Sequence, residues 1–467
     1  MINKTIERIK MAVIVVLFMS TILLLYLLWT PQGGVDFAGL IGRRGRTASL
    51  PEAKGLIQAG FAVSGNGSGS FTRSEDTDGD IQEAAMAELE GFLAQSYVES
   101  ASISREQYEL AMSGWPSVRI SYDAELPFSA FCAICSPESA LSIRDDVMMK
   151  TLSFSEAAAD SVFVTDAEGN TQRFVFGEAR DSVELLLSQF GDDSVPCYAA
   201  KDLLGHGDAM LALTGESGLR RISASNESAD SDFGTDAARG IFGDTFSFVR
   251  RMVDSFGNIT YMYGYGDKNL YLYTDGGTAY SASEEGALQT GFAEDLETAL
   301  GFAAVCGGLS EDEWGGMRLT GYSESGSRIK TRVFEFSQTA GGRAVFGAKG
   351  PALRITVTGG SVTELAREGL KYSAGSADEL RQTISPANVI ANNSHHIYNV
   401  LHGSVLAAAS DEAFEYAAGE TESLTLGYFA DPLQGGAELI PCWVLRSRSG
   451  VRFYFDLYEG TPLGYSD

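Results

Sequence analysis

The sequence predicts an α+β protein, in which one N-terminal transmembrane helix is followed by extracytoplasmic lobes of antiparallel sheets packed with helices. Two observations predict this fold. Met11–Thr30 is a run of 20 residues without a charged side chain, which is long enough to span a bilayer. Beyond it, segments with the periodicity of a helix are followed by groups of strand-like segments, and turn residues separate the members of each group.

The apolar run is predicted to stay in the protein as an anchor. A secretory signal has a shorter apolar core, of about 7–15 residues, and ends at a small-residue cleavage site. Here the run ends at Trp29, Thr30 and Pro31, where proline stops the helix. Tyr26 and Trp29 are also suited to a membrane interface.

Basic residues on both sides of the anchor compete to set its orientation. Lys4, Arg8 and Lys10 precede it, and three arginines follow it between residues 43 and 46. Because long domains cross the membrane largely regardless of their charge, we expect a cytoplasmic N-terminus and an extracytoplasmic bulk. This assigns residues 1–10 to a cytoplasmic tail, 11–30 to the transmembrane helix and 31–50 to a juxtamembrane linker.

Ser20 and Thr21 lie near the middle of the anchor. Their hydroxyls can bond across a helix pair, typically for about 1 kcal/mol or less, or back to the backbone of their own helix. Because adjacent side chains offer two faces of a helix, we predict these two as candidate contacts with a second transmembrane helix.

The charge of the chain excludes some function classes. Its net charge is −28, and the first 30 residues carry three positive charges against one negative, so residues 31–467 carry −30. Binding to nucleic acid or to anionic lipid needs a basic surface, which this composition does not supply. An apolar content of 44% is typical of a globular protein.

The five cysteines are few for this length, and their odd number argues against a disulfide framework. Most lie in apolar surroundings, which favours buried free thiols. Cys132 and Cys135 have C-x-x-C spacing, so a local disulfide or a thiol oxidoreductase stays open. No thioredoxin-like βαβ pattern surrounds the two cysteines.

The histidines do not form a metal-binding pattern. His395, His396 and His402 are close in sequence, but none of them is spaced i, i+4 for one helix face. The sequence also lacks a phosphate-binding loop and a G-x-S-x-G nucleophile motif. We therefore predict no catalytic residue, no cofactor and no metal ligand.

Residues 51–285 are predicted to form an N-terminal α+β ectodomain of one or two lobes. A capping-box pattern at Asp80 opens a helix, a second helix starts at Ser104, and Asp181 caps a third. Val162–Phe176 is predicted as a hairpin. Between residues 246 and 280, three alternating runs separated by turn residues predict a meander.

The last third of the chain shows an internal repeat, with copies at 286–374 and 375–467. Each copy is predicted to contain a helix followed by three antiparallel strands. The helical stretch of the second copy, around Ala377–Ile390, is interrupted at Pro386. In the last strand, apolar residues from Val451 to Leu457 alternate with polar or aromatic ones, as a sheet backed by helices on one face requires.

Three segments resemble YycH-type proteins, and one of them, "ALRITVTGGSVTEL", looks like a Gly-Gly hairpin of that family. In that family an F-x-D-x-S-x-V-R run leads to strands around a YTDG-like turn. "IFGDTFSFVRR" and "YTDG" match this pattern through Phe242, Asp244, Val249, Arg250, Thr274, Asp275 and Gly276. The C-terminal strands resemble the closing sheet of YycH, YycI and PepSY-like modules through Gly427, Tyr428, Pro441, Trp443, Tyr454, Asp456 and Gly460.

The resemblance implies a regulatory function. YycH-type proteins are single-pass membrane proteins of Gram-positive bacteria that tune a WalK-type (YycG) sensor histidine kinase, which governs cell-wall metabolism. It therefore implies a kinase partner reached through transmembrane helix contact, a YycI-like sister protein, and no enzymatic activity. The alternative that we keep is a membrane-tethered binding module for a peptide or an envelope component, with Tyr261, Tyr263, Tyr271 and Tyr273 lining a sheet face.

Overall fold

The computed structural model describes residues 52–75, 79–95, 97–136, 147–191, 194–213, 215–226, 231–283, 286, 289–306, 314–347, 350–372, 379–403 and 409–466. The predicted anchor Met11–Thr30, with Ser20 and Thr21, lies outside these ranges. Within them, no helix is both long and apolar enough to cross a bilayer. The described residues from Glu52 onward belong to one compact unit.

The first sheet has nine strands, and all of its pairs are antiparallel. They are β1 (Ala59–Asn66), β2 (Phe71–Ser74), β3 (Tyr97–Ile103), β4 (Pro116–Pro127), β5 (Met148–Ser155), β6 (Ser161–Thr165), β7 (Thr171–Phe176), β8 (Val195–Ala199) and β9 (Met210–Ala212). Their order in the sheet is β3-β7-β6-β5-β4-β1-β2-β8-β9. The predicted hairpin at Val162–Phe176 is confirmed as β6 and β7.

Helices accompany this sheet: α1 (Ala53–Leu56), α2 (Asp80–Leu93), α3 (Arg105–Ser113), α4 (Phe128–Cys135), α5 (Ser182–Leu187) and α6 (Ala200–Leu204), with a 3₁₀ turn at Glu156–Ala158. Phe92 of α2 packs on Phe154 and Phe176, with ring centroids 6.3 and 5.1 Å apart. These ring contacts hold α2 against the sheet.

The helix starts differ in how they are capped. The predicted helix at Asp80 is confirmed, but the predicted cap is wrong, because α2 begins at Asp80 itself and Gly79 precedes it at φ 80° without a side-chain cap. At α3 the sequence contains a true capping box. Ser104 Oγ accepts from the Gln107 N–H at 3.3 Å, and Gln107 Oε1 accepts from the Ser104 N–H at 3.0 Å.

The rest of the chain supplies β10 (Glu216–Ser217), β11 (Ile222–Asn226), β12 (Arg250–Val253), β13 (Ile259–Tyr263), β14 (Lys268–Leu272), β15 (Thr278–Ala282), β16 (Met317–Ser325), β17 (Thr331–Ala340), β18 (Arg343–Gly347), β19 (Leu353–Thr358), β20 (Ser361–Arg367), β21 (Leu370–Lys371), β22 (Arg381–Gln382), β23 (Thr421–Leu433), β24 (Gly436–Ser447), β25 (Arg452–Asp456) and β26 (Pro462–Ser466). β10 and β22 pair with each other, and the other strands form a second, 15-stranded sheet. Its helices are α7 (Ser231–Phe242), α8 (Phe292–Cys306), α9 (Pro386–His402) and α10 (Ser410–Glu420), with a 3₁₀ segment at Gly243–Phe248.

The second sheet has the order β12-β13-β14-β15-β20-β19-β17-β18-β23-β24-β11-β21, with β16 beside β17, β25 beside β24 and β26 beside β25. Its pairs are antiparallel except β18 and β23, which are parallel. The predicted α+β class with antiparallel sheets is therefore confirmed for the described residues, with this one parallel exception.

Two predicted strand groups need correction. The meander contains four strands, because the third predicted run splits into β14 and β15 at the turn with Asp275 and Gly276, where Gly276 adopts φ 82°. In the first repeat, the third predicted strand is the hairpin β19–β20, which turns at Gly359 and Gly360, as its resemblance to a Gly-Gly hairpin of YycH-type proteins predicts. The short strand β18 was not predicted. The domain boundaries at 285 and 374 stay predictions.

The helix of the second repeat starts later than predicted. Pro386 does not interrupt a helix but opens α9, where the missing N–H of proline has no intrahelical partner to lose. Ser385 Oγ caps it by accepting from the Asn388 N–H at 3.2 Å. Helices α9 and α10 cover one face of β23–β25, where Val389, Ile397, Ala417 and Leu445 are completely buried. This apolar layer is the core of the C-terminal region.

Candidate functional site: the junction of the two sheets

The two sheets meet at a junction made by charged side chains. Arg73 of β2 is only 1% exposed and donates to two backbone carbonyls, at Met210 O (2.8 Å) in β9 and at Leu424 O (2.5 Å) in β23. Its guanidinium also pairs with Glu75 at 3.0 Å. One buried arginine thus connects the first sheet with the second through charge-assisted hydrogen bonds.

A second group of ions continues the junction. Asp123 of β4 pairs with Arg318 of β16 at 2.7 Å. The Asp123 carbonyl accepts from Lys150 Nζ at 2.9 Å and from Arg446 Nη1 at 2.5 Å. Glu422 of β23 lies between these two cations, 3.4 Å from Lys150 and 3.2 Å from Arg446. Two of these ion pairs, Asp123–Arg318 and Lys150–Glu422, therefore connect the two sheets, whereas Arg446 and Glu422 pair within the second sheet.

Lys150 is the most perturbed base of the junction. Burial, and next the nearby charge of Arg446, lowers the pKa of its amine to about 8. The side chain is only 6% exposed, so its ammonium form is stabilised mainly by Glu422 and by the Asp123 carbonyl. A buried amine of this kind makes the contact between the sheets dependent on pH in the alkaline range.

A cleft of about 250 Å³ opens beside the junction, and Lys150 and Arg119 lie in its wall. The Arg119 guanidinium is 5.0 Å from the ring centre of Phe71. At the mouth, Asp208 pairs with Arg105 and with Arg448, the latter at 3.1 Å. The cleft wall therefore carries both signs of charge, largely in ion pairs.

The sequence interpretation missed the junction. The pattern that could have found it is a charged residue at an inward-facing position of an apolar strand. Lys150 interrupts the run "VMMKTLSF", and Arg73 interrupts "SFTRS". A charge at such a position needs a buried partner, which cannot be identified from one sequence.

The family-like residues of the meander lie away from the junction. Asp244 is exposed in the 3₁₀ segment, and Arg250 is exposed on β12. Asp275 and Gly276 form the turn between β14 and β15, where Asp275 Oδ1 accepts from the Gly277 N–H at 3.0 Å. The geometry of this turn therefore explains why an aspartate and a glycine occur at positions 275 and 276.

The family-like residues of the closing sheet lie close together. Gly427 and Tyr428 of β23 pair with Cys442 and Pro441 of β24, and Trp443 is the next residue along β24. The Trp443 indole N–H donates to Ile384 O at 2.9 Å. A Cβ on Gly427 would lie 2.9 Å from Val444 Cγ2 and 3.1 Å from Ala344 O, so this position favours glycine. These residues hold the sheet together.

Asp456 ends β25 and shapes the turn that follows. Its Oδ1 accepts from the N–H groups of Tyr458 and Glu459, both at 2.9 Å. Gly460 closes the turn at φ 69° and donates to Asp456 O at 2.9 Å. The length of this turn therefore explains the spacing between Asp456 and Gly460 in the sequence.

The cysteine and histidine positions do not form a reactive site. Cys132 and Cys135 are buried free thiols on α4, and burial raises the pKa of Cys132 well above its usual value and that of Cys135 to about 12. This disfavours the thiolate that redox exchange needs. Burial lowers the pKa of His396, which lies against Phe453. In the described part of the chain, no three His, Cys, Asp or Glu side chains are grouped to hold a metal ion.

Comparisons with known proteins concern the fold. No family model matches the sequence, and no curated protein matches it. The structure is similar to the crystal structure of YycH from Bacillus subtilis, with a TM-score of 0.56 at 10% sequence identity, over 85% of this chain and 96% of that chain. An uncharacterized protein from Eubacterium rectale aligns with a TM-score of 0.31 at 12% identity, over 55% of this chain and 82% of that one, which is too low to support an argument. The resemblance drawn from the sequence is thus confirmed at the level of structure: the chain has a YycH-like fold.

Proposed function

We propose that this protein is a membrane-anchored, extracytoplasmic regulator of a sensor histidine kinase in a two-component system that controls cell-wall homeostasis. The observation that carries the proposal is the YycH-like fold, which aligns over 85% of this chain. The uncharged segment Met11–Thr30 supports it, because an anchor keeps the folded residues beside a kinase in the same membrane. The proposed partners are a WalK-like kinase and a YycI-like sister protein.

In this proposal the protein acts through protein contacts, without catalysis and without a cofactor. The transmembrane helix contacts a helix of the kinase, and Ser20 and Thr21 are the candidate contact residues. The ion pair of Lys150 with Glu422 resists displacement of one sheet against the other, because separating the two leaves buried charges unpaired. When the two sheets stay fixed against each other, binding of a ligand or partner to the folded domain affects the anchor and is not lost in a hinge motion between the sheets.

The experiment replaces residues 11–30 with an unrelated spanning helix and measures reporter output of the regulon in living cells. Lost or altered regulation with normal membrane levels of protein is the expected result. A second variant, Ser20→Ala with Thr21→Ala, should reduce regulation in part, whereas Val15→Ala, on the opposite face of the same helix, serves as the control. Unchanged regulation after the full replacement removes the helix from the mechanism.

A second candidate function is a membrane-tethered binding module for a peptide or an envelope component. The observation that favours it is a groove of about 520 Å³ between the meander and the β23–β24 hairpin, lined in part by Tyr273 and Gly369. The four meander tyrosines do not share one face, because Tyr261 pairs with Leu270, which places the next residue, Tyr271, on the opposite face. Capture of envelope fragments by residues 51–467, lost after Tyr273→Ser, would favour this function over kinase regulation.

A further inference from the structure

Strand β12 forms an open edge of the second sheet. Its only strand partner in the described part of the chain is β13. All four residues of β12 are exposed, although neighbouring side chains along a strand point to opposite faces. Both faces of this edge are therefore uncovered.

The ladder indicates which backbone groups face outward. The turn between β12 and β13 begins at Asp254, whose N–H donates to Asn258 O at 3.0 Å, so these two residues form a hydrogen-bonded pair. Hydrogen-bonded and non-hydrogen-bonded pairs alternate along an antiparallel ladder. The N–H and C=O groups of Arg251 and Val253 therefore face away from β13, toward the open side.

Apolar side chains accompany this edge along its length. Met252 and Val253 are 44% and 54% exposed, and Phe248 and Phe256 at its two ends are 75% and 82% exposed. Large apolar side chains that are exposed next to one another mark an interaction surface. Natural edge strands are usually protected by charges or coverage against this kind of exposure.

The charge of the edge is opposite to that of the domain. Arg250 and Arg251 are both exposed, and neither has an ion-pair partner among the residues that the structure describes. Residues 31–467 together carry −30, so an unpaired arginine pair is unusual here. These side chains favour a partner that presents acidic groups.

We propose that β12 is a docking site for an extended acidic and apolar segment of a partner protein, which adds to the sheet as an antiparallel strand. The backbone groups of Arg251 and Val253 supply hydrogen bonds, and the arginines select acidic residues opposite them. Met252 and Val253 contact the apolar residues of the segment. This inference does not depend on the partner being a kinase.

Two other occupants fit the observations less well. In a pair of β12 strands from two copies, four arginines would lie in one short ladder with no carboxylate opposite, between domains that each carry −30. A lipid surface would contact one tip, whereas Phe248 and Phe256 lie at opposite ends of the strand. The edge is therefore better suited to a partner strand.

The test uses the full chain in nanodiscs of zwitterionic lipid and two labelled synthetic peptides. Each peptide has two valines followed by a charged pair, between pairs of threonines; the pair is Glu-Glu in one and Lys-Lys in the other. Antiparallel pairing brings the charged residues opposite Arg251 and Arg250. By fluorescence anisotropy, we expect the glutamate peptide to bind at least about tenfold more tightly than the lysine peptide.

A charge swap makes the test specific. Arg250→Glu with Arg251→Glu should reverse the preference between the peptides, whereas Arg328→Glu, at an exposed position of the β16–β17 turn, should leave it unchanged. Hydrogen exchange should show new protection at residues 249–255 when the glutamate peptide is bound. An equal affinity for both peptides, no binding of the glutamate peptide, or a preference that the swap does not reverse overturns the proposal.

The same variants identify the other occupants. Dimerisation of the full chain in analytical ultracentrifugation that is lost in the charge-swap variant would assign the edge to a second copy. Binding to phosphatidylglycerol vesicles that is lost after Phe248→Ser and Phe256→Ser would assign it to lipid. Either result overturns docking of a partner strand.

Discussion

The sheet junction and the β12 edge both carry arginines, but in opposite states. Arg73 at the junction is 1% exposed and has two carbonyl partners and a carboxylate, whereas Arg250 and Arg251 on the edge are exposed and lack ion partners in the described residues. In a strongly acidic domain, a buried arginine is held by the fold. The exposed arginines of β12 are therefore the ones that are available to bind a partner protein.

We expect the largest effect on stability from a substitution of Arg73, the buried arginine of the junction. Arg73→Met removes the hydrogen bonds to Met210 O and Leu424 O and leaves Glu75 without that partner, so the free energy of unfolding should fall by about 4 kcal/mol. Urea unfolding followed by circular dichroism measures it. The control Arg328→Met should change stability by less than about 0.5 kcal/mol. An Arg73→Met loss as small as that of the control would contradict a structural role for the junction.

A smaller effect is expected from the titration of Lys150. Its pKa is about 8 in the folded protein and 10.5 in the absence of burial. Between these values the unfolded chain keeps a proton that the folded chain has released, so the free energy of unfolding rises with pH, by up to about 3 kcal/mol. Below pH 8 both states are protonated, and this contribution does not change with pH.

The measurement compares urea unfolding of the wild type and of Lys150→Met from pH 7 to pH 10.5. Tyrosines titrate in the same range but contribute equally to both proteins, so the difference between the two curves isolates Lys150. We expect this difference to grow with pH above 8 in favour of the wild type. A difference that stays constant would mean that the amine is not perturbed by burial.

We expect the smallest effect on stability from substitutions of the exposed arginines of β12. Arg250→Ala with Arg251→Ala should change the free energy of unfolding by less than about 0.5 kcal/mol, because the side chains have no buried contact to lose. The same urea titration measures it. A decrease in the free energy of unfolding comparable to that of Arg73→Met would show that the exposed arginines of β12 have the same structural role as the buried arginine of the junction.

Local chemistry made much of this fold predictable. Alternation and turn residues located the β6–β7 hairpin and the strands of the meander, and Ser104 marked the start of α3. The errors occurred where one residue type has two uses. Gly359 and Gly360, which the strand pattern places within one strand and the family resemblance places in a hairpin, form a hairpin turn. Pro386 looks like a helix breaker but opens a helix.

The site was less predictable than the fold, because its contacts are distant in sequence. Arg73 and Leu424 are separated by 351 residues, and Lys150 meets Glu422 from the other sheet. No periodicity encodes such pairs. Exposure of β12 was equally hidden, because the apolar residues of "FVRRMVD" are typical of any strand and the lack of a second neighbour appears only in the folded sheet.

The position of β11 has a consequence for the order of events during biosynthesis. This short strand lies between β24 and β21, and Arg221 beside it pairs with Glu438, which follows 217 residues later. The ribosome must therefore synthesise the chain as far as β24 before β11 meets this neighbour, and until then β11 can pair only with β21, through Ser225 and Asn226. A nascent chain truncated before residue 436 should consequently be recognised by chaperones and proteases as immature, however well its first sheet has formed.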